Sequence, residues 1–334
     1  MLRSTKPLIL GLLALAGGLA LASLMLGPAP LSPGLALKAL VTDQGSASVV
    51  VREIRLPRTL LALLIGWTFG LTGAALQGLL RNPLADTSVF GASQAAAFGA
   101  VSVLYFGLVG ALSWALPAAA IGGALLSIGL VVAVAGRSTT VVVLVLAGLA
   151  VGSLAGAATS LAISLSPNPF AVTEIVFWLL GSLEDRSLTH LWLAFPFCLL
   201  ASGLLLACGP GLRALALGEE TAASLGVNVP RLRFGIVLAS ALGTGAAVAV
   251  AGSIGFVGLV VPHLIRPLVG HDPARALVPA GLAGAALLLA ADIAVRLIPT
   301  PAEVKIGVLT ALIGVPFFLW IIARRKAELS ETPA

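Results

Sequence analysis

Charged residues are so sparse in this chain that the apolar runs between them set its architecture. The longest stretch without Asp, Glu, Lys or Arg runs from Thr87 to Gly136, 50 residues. One helix of that length would measure ~75 Å, against a bilayer hydrocarbon core of ~30 Å. It must fold back at least once, and Gly110, Ser113 and Pro117 mark the expected reversal. The same arithmetic predicts ten apolar helices, at 8–26, 59–80, 88–110, 112–135, 141–165, 188–208, 234–252, 256–269, 276–298 and 304–323. Turn-punctuated segments of ~10 residues with alternating polarity are missing, which argues against a membrane β-barrel. The fold class expected is an all-α integral membrane protein, one transmembrane domain over residues 1–334.

Composition strengthens this reading. The 334 residues are 59% hydrophobic and 10% charged, where soluble domains carry about 25% charged residues. Mean hydropathy is +1.11. Arg3 and Lys6 precede the first apolar run, which is long for the ~7–15-residue core of a signal peptide, so an uncleaved first span is expected. The net charge of +6 comes from single Lys and Arg residues between apolar runs, a positive-inside pattern rather than a nucleic-acid footprint. Ten spans put both termini on one side. Placing them in the cytoplasm leaves twelve Lys and Arg inside and seven outside. Three of the outer seven, Arg52, Arg55 and Arg58, crowd together against the rule.

Catalytic chemistry is not visible. His190, His263 and His271 have no partner at metal-ligand spacing, and no phosphate-binding G-x-x-x-x-G-K-[ST] occurs. Cys198 and Cys208 would lie ~15 Å apart on one helix, beyond disulfide reach. No metal or cofactor is expected on this chain. Asp292 lies four residues before Arg296, so the two can pair on one helix face. Arg186, beside Glu184 and Asp185, reads as a solvated loop charge; contact with an anionic ligand near the outer mouth is the other reading.

Two patterns point to transport. Pro57-Arg58 followed by Thr72-Gly73-Ala74-Ala75 is echoed by Pro230-Arg231 followed by Thr244-Gly245-Ala246-Ala247, at offsets of 173 and 172 residues. Five predicted spans separate the copies, so they would run in opposite directions, the mark of an inverted repeat. The polar segment Leu217–Gly226, within a predicted cytoplasmic loop at about 212–230, starts with Glu219 and Glu220, which suit a helix N-terminus. Such a short helix could dock in a groove on a soluble partner.

Several motifs together resemble the FecCD family of permeases for iron siderophores, haem and vitamin B12. Arg55-Leu56-Pro57-Arg58 opens the second span. Gln77 and Arg81-Asn82-Pro83-Leu84-Ala85-Asp86 lead into Gly91-Ala92-Ser93. Gly255-Phe256-Val257-Gly258-Leu259-Val260-Val261-Pro262-His263 with Arg266 is the most specific stretch. Pro301-Ala302-Glu303 and Gly307–Phe318 close the match. Lys305 departs from the pattern, where a proline is common.

The resemblance implies a homodimer with ten helices per subunit in the bacterial inner membrane. Two cytoplasmic ATPase subunits would use ATP and Mg, a soluble binding protein would sit outside, and this chain would be a transport subunit, not an enzyme. By the same resemblance, Glu219, Glu220, Ala223, Leu225 and Gly226 would couple to the ATPase. Arg55, Arg58 and Arg296 would dock the binding protein. Asn82, Leu84, Thr139 and Thr140 would narrow the cytoplasmic exit. The Gly181–Ser187 stretch resembles haem and siderophore members slightly more than cobalamin members, so an iron chelate is the favoured ligand and cobalamin the alternative. An ion-coupled secondary transporter is the rival of another class. It would bury acidic residues near the midplane, and Asp292 sits nearer the outer end.

Overall fold

The computed structural model describes residues 5–42, 45–108, 114–136, 140–300 and 302–330 and, within these, all side chains but those of 135, 322 and 324–330. The described residues form helices and no strand. In chain order these are α1 (Lys6–Met25), α2 (Pro33–Val41), α3 (Ser46–Val49), α4 (Leu56–Leu80), α5 (Ala92–Tyr105), α6 (Ala115–Ala135), α7 (Val141–Leu165), α8 (Pro169–Leu179), α9 (Leu188–Ala207), α10 (Gly209–Ala216), α11 (Glu219–Ser224), α12 (Val229–Ala251), α13 (Val257–Ile265), α14 (Pro273–Leu297) and α15 (Ile306–Ser330). A π-helical stretch, Val50–Arg55, joins α3 to α4. Among the described residues seven helices are long and apolar enough to cross a membrane, and α5, α8, α13 with its following turn, and α15 are shorter apolar ones.

The helices form an inner and an outer set. In α4 and α12 about four-fifths of the apolar window is buried (78% and 83%), whereas in α1 and α7 it is 11% and 17%. Apolar surface left bare on α1 and α7 is tolerable only in lipid or against another subunit. The inner helices touch through residues without side chains. A Cβ on Gly73 of α4 would stand 1.9 Å from the Gly258 carbonyl of α13, and one on Gly66 would stand 2.4 Å from that of Gly284 on α14. Without a hydrophobic drive between helices in lipid, such backbone approach supplies the packing energy.

Helix contacts follow the internal echo. α4 packs on α14 and α13, while α12 packs on α6 and α5. Exchanging the two halves of the chain carries one set onto the other.

Each of the ten predicted apolar stretches contains a helix, with shifted ends. The third begins at Ala92 rather than 88, because Thr87–Phe90 form a 3-10 turn closed by Gly91 at φ +69°. A Cβ there would meet the Gly148 carbonyl at 2.7 Å. The seventh starts at Val229, ahead of the expected 234, because the Asn228 side chain accepts the Arg231 N–H (3.0 Å) and Pro230 fits the first turn. The expected reversal at Gly110 and Ser113 lies outside the described residues, and Pro117 falls in the first turn of α6. The charge-free runs missed α8, which Glu174 interrupts and whose 11 residues span only ~16 Å.

Candidate functional site

α4 gives the molecule two ends. At its start, three arginines converge. Arg58 donates from Nε to Asp292 Oδ1 (2.7 Å) and from its terminal nitrogens to Glu303. Arg296 pairs with Asp292 Oδ2 at 2.8 Å and donates to the Ser23 and Leu26 carbonyls (3.0 and 3.1 Å). Arg55 donates to the carbonyls of Leu24, Met25 and Ala29 at 3.0, 2.8 and 2.5 Å. The carbonyls of Leu24 and Met25 belong to the last turn of α1, which leaves such groups unsatisfied within the helix. These guanidinium groups therefore fasten α1 and the chain after it to α4 and α14.

The expectation that Arg55, Arg58 and Arg296 present charge to a docking protein meets a different geometry. Their exposures are 3, 6 and 8%, and each is committed within the subunit. The Asp292–Arg296 pairing expected from their spacing is present. Arg52 is partly exposed, and Glu53 and Ile54 are exposed.

The other end of α4 packs on α10, which leads into the polar turn. Gly218 (φ +120°) starts α11 and Gly226 (φ +84°) follows it. Ala222 is fully buried, while Glu219, Glu220, Ala223 and Leu225 are exposed, so the helix is anchored at one point and open over the rest. Glu219 is held by Arg233 of α12. The preceding α10 is tied down by Arg213, whose Nε donates to Asp272 Oδ2 (2.8 Å), and Asp272 in turn caps α14.

Beside this end lies the loop after α4. Arg81 adopts a left-handed conformation (φ 46°), and Asn82 Oδ1 accepts the Leu84 N–H (3.0 Å). Gln77 donates to both the Ala85 and Leu259 carbonyls, pinning the loop to α13. Leu84, Asp86 and Gln94 border a cavity of about 540 Å³ that reaches Phe256 and Phe318. The Thr87 and Ser88 N–H groups and the Ser88 hydroxyl favour the Asp86 carboxylate, but burial outweighs them and raises its pKa above the ordinary carboxylate range. Thr140 is exposed and caps α7, its Oγ1 accepting the Val143 N–H (3.5 Å); Thr139 lies outside the described residues.

The model of the FecCD transport family matches residues 12–324. The chain belongs to the FecCD transport family. It is 40% identical to a Hemin transport system permease protein, HmuU, of Yersinia pestis, over 83% of this chain and 84% of the relative. It is 36% identical to the Vitamin B12 import system permease protein BtuC of Klebsiella pneumoniae, over 98% and 96%. A solved structure described as an inward-facing conformation of a putative metal-chelate type ABC transporter superposes with a TM-score of 0.86 at 33% identity, covering 96% of this chain and 99% of that one. As a FecCD member the chain is a multi-pass membrane permease of the ABC importer class.

Within this family frame, the structure brings Arg55, Arg58 and Arg296 together at one end, and Asn82, Leu84 and α11 at the other. Sequence reasoning missed Glu303 as the second partner of Arg58, and Lys305 as the partner of Glu184 (2.5 Å). The departure of Lys305 from proline was the signal for the latter.

Proposed function

We propose that this chain is the membrane-spanning subunit of a binding-protein-dependent importer that carries an iron chelate, haem or a ferric siderophore, across the bacterial inner membrane. Two copies form the pathway, both termini face the cytoplasm, and two separate subunits hydrolyse ATP. The carrying observation is α11: a six-residue helix with a single buried anchor, Ala222, and exposed Glu220 and Ala223, followed by exposed Leu225. It suits a groove on a moving partner, whose shift would pass through Arg233 into α12 and through α10 into α14. In this reading Asn82, Leu84, Thr139 and Thr140 narrow the exit. Arg55, Arg58 and Arg296 serve docking by holding the outer rim in shape, since their guanidinium groups already have partners.

The test is uptake in proteoliposomes with the cognate ATPase and binding protein, offered hemin, a ferric siderophore and cobalamin in turn. ATP-dependent accumulation of an iron chelate supports the reading, and accumulation of cobalamin alone reassigns the ligand. Accumulation driven by an ion gradient without any ATPase would overturn it in favour of a secondary transporter.

A further inference from the structure

A second cavity, of about 570 Å³, opens at the end of the bundle that holds the arginine cluster, between α6, α8, α9 and the start of α15. That volume falls in the range of small-molecule sites, ~300–1,000 Å³. Its walls include Trp114, Phe177 and Trp178. Arg186 lines it and makes no hydrogen bond or ion pair among the described residues; its Nε is buried with no acceptor. Arg186 is thus partly buried rather than a fully solvated loop charge. Burial lowers its pKa, and the attraction of Asp185 only partly offsets this. A guanidinium partly withdrawn from water in this way gains from an anion that reaches it.

The other ionisable groups lining the cavity are accounted for. Glu184 is taken by Lys305 at 2.5 Å. Glu174 and Asp185 are exposed, where water screens them. His190 accepts the Ser187 N–H at Nδ1 (3.2 Å), so its neutral ring carries hydrogen on Nε2 and offers a donor rather than a lone pair for iron. The lining thus combines aromatic walls, a guanidinium faced by the exposed Asp185 carboxylate, and an imidazole donor.

We propose that this cavity receives a carboxylate-bearing part of the transported chelate, with Arg186 as its counter-ion and the aromatic walls against its apolar portion. This rests on the permease reading above and narrows it to anionic chelates. A docking partner's carboxylate is the competing source of the same charge. The recessed position of the Arg186 Nε, inside a pocket of ligand size, favours the small molecule.

The test uses the full complex with its ATPase in nanodiscs. Quenching of Trp114 and Trp178 emission is titrated with hemin, hemin dimethyl ester and ferric dicitrate. In wild type at least one of the two anions, hemin or ferric dicitrate, binds; where hemin binds, it does so more tightly than its ester. Arg186→Gln weakens anion binding by about tenfold or more, Arg186→Lys restores part of it, and the ester is indifferent to both changes. Failure of both anions to bind wild type overturns the proposal. So does equal anion affinity in wild type and Arg186→Gln. Loss of binding-protein docking in Arg186→Gln with unchanged anion affinity also overturns it, giving the charge to the protein partner. A complex that still raises its ATPase rate with loaded binding protein keeps the permease reading whichever way the cavity falls.

Discussion

Arg58 Nε donates to Asp292 Oδ1 at 2.7 Å across 234 positions of sequence, joining the first turn of α4 to the C-terminal part of α14. Asp292 is fully buried and also faces Arg296, while Glu303 holds the far side of Arg58. Two cations thus meet two anions, and Arg55 spends its charge on backbone carbonyls. Replacing such a group by hydrophobic residues can be neutral, but removing one partner leaves a buried charge alone. Asp292→Asn should therefore destabilise the subunit by about 3–5 kcal/mol. Glu303→Gln should cost less, because its side chain is 15% exposed. Thermal unfolding in detergent measures both, and an Asp292→Asn protein as stable as wild type would refute the clamp.

The glycine contacts of α4 make a sharper structural prediction. At Gly73 the obstruction is the backbone of Gly258, which cannot rotate away as a side chain could. Gly73→Ala should force α4 and α13 apart, at a cost of about 1–3 kcal/mol or more. Gly17, on the outer helix α1, has nothing within 4 Å of its added Cβ. Gly17→Ala should stay within about 0.5 kcal/mol of wild type. Melting temperature and monodispersity of the two proteins, compared side by side, decide the point.

Features encoded locally were legible in the sequence, and features made by distant contacts were not. The spans were legible because charge-free runs long enough to cross lipid have few other uses. The polar turn at 219–226 was legible from its two glutamates and bracketing glycines. Of the arginine cluster, the Asp292–Arg296 pair was legible from its spacing, and Arg55 and Arg58 as an anomaly of charge, but the links of Arg58 were not. Its partners Asp292 and Glu303 stand 234 and 245 residues from Arg58, and no periodicity links them. For the same reason the burial of Arg55, which depends on the end of α1 folding back over it, could not be read from its neighbours. α8 escaped because its 11 residues, interrupted by Thr173 and Glu174, are too few for a span and too apolar for an ordinary loop.

Coupling through α11 predicts a separation of effects. Leu225 is 62% exposed, so Leu225→Asp should change stability by no more than about 0.5 kcal/mol. If it fills a groove on the ATPase, the same change should lower binding-protein-stimulated ATP hydrolysis by about tenfold, the effect of losing ~1.4 kcal/mol at an interface. Glu219→Ala should act differently, because it removes one carboxylate from Arg233 and weakens the tie between α11 and the start of α12. Stimulated ATPase activity and melting temperature, measured on each variant, separate the two. Normal stimulation in Leu225→Asp would rule out this residue as a contact.

Asp86 carries the pH prediction. It stands beside the cavity that reaches Phe256 and Phe318, outside the long helices, and burial raises its pKa above the usual carboxylate range. Such a group takes up a proton on folding in the interval between its unfolded and native values. The unfolded chain binds fewer protons there, so stability falls as pH rises through that interval and levels off above the native value. Asp86→Asn keeps the shape and removes the charge. It should be more stable than wild type once pH exceeds the native pKa, and it should flatten the fall from acid toward neutral pH. Melting curves of the two proteins from pH 4 to 8 show whether they diverge in that direction; parallel curves would mean that the carboxylate is solvated or paired in the working protein.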